Sequence, residues 1–454
     1  MPELDPLTAV NPLDGRYADK VSELGEITSE YALIRNRAAI EADWLKTLGS
    51  GILPDVPALS DLQRGEIEGV LNEFTIADAR RIKEIERTTN HDVKAVELWL
   101  RERLSGDETL TPYLELIHFG LTSEDVNNLA YARMFREARG NVLLPGIFAI
   151  TDELDEKADQ YSGTSLLAQT HGQPATPTTL GKEMRVFSER LEDSATRLGA
   201  IAIRGKLNGA SGNFNALHVA YPDVDWRTVS HDFIVEQGFI PNQVTTQIES
   251  HDWMAVFANE LSLSNTIMTD LARDMWAYIS RGVFKLKVVK GEVGSSTMPH
   301  KVNPIDFENA ESNLGTANAV LSSLAVRLPI SRLQRDLSDS STQRTIGTAL
   351  GHTVVGHKSL KRGLGKVTPN EDKIAEELDG EWSVLTEAVQ TVMRRYGVSG
   401  AYETIKAVSR GKSLDREAYL ELVEQIDIPD GPKGRLRELS PRTYLGYAPQ
   451  IAKQ

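Results

Sequence analysis

The sequence predicts an all-α fold, and three observations carry that expectation. Long segments repeat apolar residues at steps of three and four, short Gly, Pro, Asn or Ser breaks separate them, and sustained strand alternation is hard to find. In chain order the long helices are expected at 142–162, 179–204, 253–280, 305–327 and 342–362. Within 253–280, Phe257, Leu261, Ser264, Met268, Leu271, Met275 and Tyr278 recur at four and three, the seam spacing of packed bundle helices. At 1.5 Å per residue that helix spans roughly 40 Å, more than a small domain needs, so bundling with other helices, across subunits included, is expected. Composition shifts near Gly120 and at Gly365-Lys-Val-Thr-Pro369 divide the chain into three helical domains: an N-terminal one at 1–119, a central long-helix bundle at 120–364 and a C-terminal one at 365–454.

The 454 residues, 40% hydrophobic and 25% charged, suffice for a large core. No window approaches eighteen consecutive apolar residues, and Met1-Pro-Glu-Leu-Asp-Pro6 has neither the basic nor the apolar part of a signal peptide. A cytoplasmic protein with no membrane partner is expected. With no cysteine there is no disulfide, no thiolate nucleophile and no cysteine-ligated metal. The net charge of −15 argues against a nucleic-acid partner, which needs a concentrated basic face. Anionic small molecules stay in play if a few Arg and Lys converge in a cleft.

Several polar stretches interrupt the helices. Gly15-Arg16-Tyr17 is a turn bearing a guanidinium and a phenol, and three such residues alone read as surface. Thr88–Lys94 is a helix start with Asn90 as cap and Val93, Val96 and Leu100 as the buried stripe; capping leaves His91 and Lys94, three apart on one face, unexplained. In His118–Asp125, Thr122 or Ser123 caps the next helix, with Glu124 and Asp125 against the positive end of its dipole, and such a terminus also suits an anion. His171, in the polar loop Thr170–Pro177, either stabilises a turn or transfers protons, for which its ordinary pKa near neutrality suits it. Gly291–Pro304 has two glycines, two prolines and adjacent hydroxyls but no apolar period. It is expected to be a loop hinged on the helix that follows, closing over a ligand. Arg335–Arg344 sets two guanidiniums and the Ser340 hydroxyl around a turn, and a phosphate clamp and an ion-pair cluster with Asp336 and Asp339 are equally good readings. No metal-ligand spacing, P-loop or dinucleotide fingerprint is present, so no metal, ATP or NAD is expected.

Gly294-Ser-Ser-Thr-Met-Pro-His-Lys-Val-Asn-Pro304 resembles the signature GSSxMPxKxNP of the fumarase/aspartase superfamily, whose members release fumarate by elimination. The flanking Ile305-Asp-Phe-Glu-Asn309, the Gly15-Arg16-Tyr17 turn, Thr88–Lys94, His118–Asp125 and Thr170–Pro177 narrow the resemblance to the adenylosuccinate lyase family over nearly the whole chain. That resemblance implies a homotetramer with shared active sites, no cofactor, and cleavage of a succinylated purine nucleotide. The substrates would be adenylosuccinate, giving AMP and fumarate, and the succinylated aminoimidazole carboxamide ribotide of the same biosynthesis. It implies phosphate contacts from Arg16, Tyr17, Arg335, Ser340 and Arg344, and a pocket lined by His91, Asp92 and Lys94. A succinyl carboxylate would lie on Thr122 and Ser123 beside His118, with Thr170, Gln247 and Ser296 as further contacts and Lys301 and Asn303 on a carboxylate. The sites would combine 88–94 with 118–125, 170–177 and 294–308 from three chains.

Elimination needs one group to take a weakly acidic proton beside a carboxylate and another to protonate the departing nitrogen. On ordinary pKa values the base would be a histidine, His300 or His171. The resemblance instead makes Ser295, as its alkoxide, the base and His171 the general acid. Lys301, loop amides and a dry site would lower the serine pKa, and Glu308 could orient His171. Another fumarate-releasing lyase of the argininosuccinate lyase or fumarase type, or a structural protein on the same scaffold, is the competing reading.

Overall fold

The computed structural model describes residues 5–288, 297–298, 300–409 and 414–454. Each expected long helix forms, as Leu144–Gln160, Leu180–Ala200, Asp252–Ser280, Ile305–Arg327 and Ile346–Gly365. Their ends differ from expectation where a competing local structure takes over. The Leu180–Ala200 helix stops short of 204 because Arg204–Gly205 pairs in parallel with Ile240–Pro241. The last long helix starts at Ile346 because Ser338–Gln343 forms a separate turn of helix before it. The Ser123–Ala138 helix leads through a π-helical segment, Arg139–Leu143, into Leu144–Gln160.

The seam of Asp252–Ser280 is buried as its period requires: Phe257, Leu261, Ser264, Met268, Leu271 and Met275 are inaccessible and Tyr278 is half-buried. Strands are confined to two or three residues each, in two-stranded ribbons, among the described residues.

Two compact units account for the packing. The first comprises Met1–Gly146, Ser194–Thr266 and Asn313–Gly356; the second comprises Ile147–Asp193, Ile267–Ser312 and His357–Gln454. The first unit therefore joins the expected N-terminal segment to parts of the central one, and the second joins other parts of the central segment to the C-terminal one.

In the first unit, Ser29 caps Glu30–Leu48 by accepting the Ala32 amide, and the buried stripe of that helix includes Leu33, Ile40, Trp44 and Leu48. Two charged residues, Arg37 and Glu41, lie in the same buried stripe. Phe135 stands edge-on to Trp253 and Phe257, with ring centroids 5.1 and 5.0 Å away. Gly356 lets Ile346–Gly365 lie against Ile305–Arg327, because a β-carbon there would stand 2.6 Å from Cγ and Cδ2 of buried Leu314. In the second unit, Phe284–Leu286 pairs with Val367–Pro369, and the 385–436 region builds an apolar core of its own around Leu385, Val389, Met393, Tyr419 and Val423.

Gly356→Ala is expected to lower stability by about 1–3 kcal/mol through overpacking, since the branching carbon of Leu314 cannot move aside as the tip of a flexible chain could. A thermal unfolding midpoint equal to that of the unsubstituted protein would show that the helices tolerate a wider spacing.

Candidate active site

In the first unit the polar stretches converge on one cleft of about 720 Å³ lined by His91, Asp92, Thr122, Ser123, Gln247, Arg335 and Ser340 among others, a volume in the range of small-molecule sites. Seven residues singled out in the sequence thus share one cavity.

Its first wall is the start of Asp92–Leu104. Asn90 is not the cap of this helix: it has φ +50° and closes the preceding helix, Ile76–Thr89, its amide donating to Glu86. A residue in that left-handed conformation cannot also stand at the extended N-cap position, and His91 takes that place, its Nδ1 accepting the Lys94 amide at 3.1 Å. His91 Nε2 lies 3.4 Å from Ser123 Oγ. Asp92 contacts Arg37 at 2.8 Å and Arg344 at 3.2 Å. Burial pushes its carboxyl pKa up, but Arg37, the Val93 amide and Arg344 outweigh burial and hold it below the usual value. Lys94 turns to Glu97, at 2.7 Å.

The second wall is the N-terminus of Ser123–Ala138. Thr122 caps it in a capping box with Asp125, whose Oδ2 accepts the Thr122 amide at 2.8 Å. Asp125 does more than complement the dipole. It is fully buried, accepts the amides of Asn208 at 2.9 Å and Gly209 at 3.1 Å, and pairs with fully buried Lys206 at 2.8 Å. His118, with φ +59°, sits in the turn before Thr122, its Nδ1 2.6 Å from Glu41.

The third wall carries Arg335. Its guanidinium lies 3.2 Å from Glu124 and 3.8 Å from Asp339, and Nη1 donates to Gln247 at 3.2 Å. Gln247 in turn donates to the Ala210 carbonyl. Arg344 is turned elsewhere, to Glu30 and Asp92, and lines a neighbouring cleft of about 400 Å³ with Asn11, Asp14 and Ala18. Of the expected Arg335, Ser340 and Arg344 set, the first two line the large cleft and the third borders the smaller one. Both arginines also take part in ion pairs, although Asp336 pairs with Arg332 rather than with either of them. Arg16 is exposed and Tyr17 half-buried under Lys20, which stands 5.4 Å from its ring centroid.

Among the described residues, the one cluster with ligating types is Glu124, His251 and Asp339, all buried, with ligand atoms within 4.8 Å of one another. The Arg335 guanidinium already faces both carboxylates, and His251 is held between the Leu328 carbonyl and the Gln343 amide. Protein groups therefore occupy the places a metal would need.

In the second unit, the expected loop around His171 is an antiparallel hairpin. Strand β1 (Ser165–Leu166) pairs with β4 (Thr178–Thr179), and β2 (Gln169–Thr170) pairs with β3 (Gln173–Pro174). His171 and Gly172, with φ +54° and +70°, form its two-residue tip, the I′ geometry that matches strand twist. Residues 169–174, Thr170 included, are exposed, and the His171 ring has no hydrogen-bond partner among the described residues. The arm is tied down at its base, where Ser165 donates to the Arg442 carbonyl and Thr176 to Glu387.

Also in the second unit, Lys301 and His300 are exposed and Asn303 is half-buried. Glu308 accepts from Trp276 Nε1 at 3.1 Å. Asp306, which sequence reasoning passed over, is buried and anchors the start of Ile305–Arg327 by accepting from Arg362 and pairing with Lys366. Ser295 and Ser296, with both loop glycines, lie outside the described residues.

A family model described as Lyase matches residues 15–320, and one described as Adenylosuccinate lyase C-terminal matches residues 331–445. The chain is similar to the adenylosuccinate lyase of Haemophilus influenzae, with 47% identity over 453 residues, 100% of this chain and 99% of that one. To the Escherichia coli K12 enzyme it is 47% identical over 447 residues, 98% of each, and to the Vibrio cholerae one 46% over 451 residues, 99% of each. Among solved structures it is similar to a 3-carboxy-cis,cis-muconate lactonizing enzyme from Pseudomonas putida, with TM-score 0.73, 20% identity and 95% of each chain covered. A fumarate lyase from Mesorhizobium sp. BNC1 gives TM-score 0.71 at 17% identity, covering 95% of this chain and 96% of that one. At those identities the likeness to the two solved structures is one of fold.

Asp125→Asn is expected to destabilise the chain by about 3–5 kcal/mol, because it strands the Lys206 ammonium in a dry site. Adding Lys206→Met should restore part of the loss in urea unfolding; an Asp125→Asn protein as stable as the unsubstituted one would contradict the burial of that pair.

Proposed function

The chain belongs to the adenylosuccinate lyase family, and on that premise we propose that it cleaves adenylosuccinate to AMP and fumarate, and the succinylated aminoimidazole carboxamide ribotide to the carboxamide ribotide and fumarate. The observation that carries this reading is the near-half identity to adenylosuccinate lyases along the full length of both chains, joined to the C-terminal match at 331–445. That match favours this reading over the argininosuccinate lyase and fumarase types and over a structural role. It also makes the protein an enzyme of purine biosynthesis. No helix among the described residues is long and apolar enough to cross a membrane, and a cytoplasmic location is part of the proposal.

The proposed chemistry is β-elimination. A base removes the proton beside one succinyl carboxylate, and the electron pair left on carbon forms the new double bond as the C–N bond breaks. The nitrogen keeps its bonding pair and is protonated by a general acid. Ser295 is proposed as the base and His171 as the acid. Negative charge accumulates on the carboxylate beside the carbanion, and groups aimed at it lower the barrier without reorganising. Lys301 and Asn303 are proposed there, and Thr122 and Ser123 at a succinyl carboxylate, where the free amides of a helix N-terminus suit an anion. Arg335, Ser340, Arg344, Arg16 and Tyr17 are proposed at the phosphate, and His91, Asp92, Lys94, His118, Thr170, Gln247 and Ser296 as further contacts.

A homotetramer with active sites shared between chains belongs to the same proposal. Two observations support it: the hairpin carries His171 on an exposed tip whose ring has no hydrogen-bond partner among the described residues, and within one chain Glu308 bonds to Trp276. The three-domain division with boundaries at 119/120 and 364/365 is kept on the strength of the separate apolar core in the last segment.

Purified protein is expected to convert adenylosuccinate to AMP, followed by ultraviolet absorbance; absence of turnover would end the lyase reading. His171→Ala should lower kcat on the order of a hundredfold or more, with a smaller effect on KM, because general acid catalysis contributes roughly 10² to 10⁴. Retention of half the unsubstituted kcat would remove His171 from the mechanism. If His171 and Ser295 of one site come from different chains, inactive His171→Ala and Ser295→Ala proteins, dissociated, mixed and reassembled, should regain about one quarter of full activity by random subunit exchange. Hybrid tetramers no more active than the parents would assign both residues to one chain.

A further inference from the structure

Glu41 lies in the otherwise apolar stripe of the Glu30–Leu48 helix, fully buried, with Oε1 2.6 Å from His118 Nδ1. Its other oxygen, Oε2, is buried with no hydrogen-bond partner among the described residues. A carboxylate placed there costs several kcal/mol unless a cation faces it, and His118 is the group it touches. The imidazole is one-fifth exposed, and among the described residues its Nε2 makes no hydrogen bond. Its backbone holds φ +59°, an uncommon conformation for a side-chain-bearing residue and one that marks a constrained position. Four residues on, Thr122 caps the helix whose N-terminus opens on the cleft.

We propose that Glu41 is a positioning residue that keeps His118 as an imidazolium, its Nδ1–H donated to Glu41 and its Nε2–H presented to an anionic group of the substrate held at the neighbouring start of the Ser123–Ala138 helix. The identity of the anion, a carboxylate or phosphate of adenylosuccinate, rests on the lyase reading above; the charge state of the pair does not.

The surroundings of His118 favour the charged form. Burial works against the proton, but the hydrogen bond and charge of Glu41, helped by Glu97 and Asp125 on the two adjoining helices, prevail and raise the imidazole pKa above its ordinary value. Of these helpers, Glu97 is already tied to Lys94 and Asp125 to Lys206, which leaves Glu41 as the carboxylate in direct contact. The sign follows: an imidazole with a raised folded-state pKa keeps its charge to higher pH than an ordinary histidine and loses it as pH rises through the raised value. Without Glu41, burial is opposed only by the charges of Glu97 and Asp125, and the proton leaves at lower pH.

The test compares the unsubstituted enzyme with Glu41→Gln, which keeps the shape and removes the charge, and with Glu41→Asp, which restores the charge at slightly longer reach. Proton NMR titration, with the His118 resonance assigned from a His118→Asn protein, should show His118 deprotonating at clearly lower pH in Glu41→Gln and partial recovery in Glu41→Asp. At pH 7.5, KM for adenylosuccinate should rise about tenfold in Glu41→Gln, the scale of one charge-assisted hydrogen bond, while kcat changes less than threefold. The deficit should narrow as pH falls, and Glu41→Gln should add nothing to KM in the His118→Asn background. An unchanged His118 titration, or a KM increase that is the same at every pH and persists in that background, would overturn the proposal. Should Glu41→Gln fail to fold, the unsubstituted protein still decides, because a His118 that titrates at or below its ordinary value excludes a carboxylate-held imidazolium. An unsubstituted protein that titrates as proposed but does not turn over adenylosuccinate would refute the lyase reading and leave the pair standing.

Discussion

A carboxylate fully removed from water, Asp125, collects the amides of Thr122, Asn208 and Gly209 and the ammonium of Lys206. Left without those donors it would be too costly to bury, so the helix start and the 206–209 segment have to come together where it sits. That junction fixes the next links. Asn208 donates to Thr245, Gln247 donates to the Ala210 carbonyl, and Arg335 donates to Gln247. The cleft wall bearing Arg335 is thereby referred back, through successive hydrogen bonds, to the same buried charge.

A chain with net charge −15 that is to hold an anion bearing two carboxylates and a phosphate must focus its cations. Here the cations near the cleft are held by carboxylates before any ligand arrives: Arg335 by Glu124, Arg37 and Arg344 by Asp92. Such pairing fixes the direction of each guanidinium and limits the rotamer entropy lost on binding. It also weakens the bare electrostatic pull on arbitrary anions, so that shape and hydrogen-bond geometry decide which anion stays.

The long helices were legible in the sequence because burial along a seam writes its own period, as at Phe257, Leu261, Met268 and Met275. The cleft was legible in part: seven of its residues stood out through capping chemistry or through the resemblance. What escaped was governed by partners distant in sequence. Asn90 looks like an N-cap until the preceding helix is known to end on it in a left-handed turn. Glu41, Arg37 and Asp306 are charged residues at buried positions, and nothing local to them names His118, Asp92 or Lys366 as the group that neutralises each one. A charge falling on the apolar stripe of a helix, as Arg37 and Glu41 do, was the available sign. The His171 hairpin was missed because its strands are only two residues long. Its one cue was His-Gly standing where a tight hairpin favours Asn-Gly or Asp-Gly.

That hairpin has a consequence for the life of the chain after synthesis. Two residue pairs on each side of a break cannot make a core, so the arm depends on its anchors to Arg442 and Glu387 at the base and has little to oppose fraying at the tip. Backbone that is extended, exposed and locally weak is the kind that proteases engage first. If neighbouring chains cover the arm, dilution below the point of assembly would expose six residues around His171, the proposed general acid, and clipping there would remove that group while both helical units stayed folded. The lifetime of activity would then follow the concentration of the chain rather than the stability of its helices.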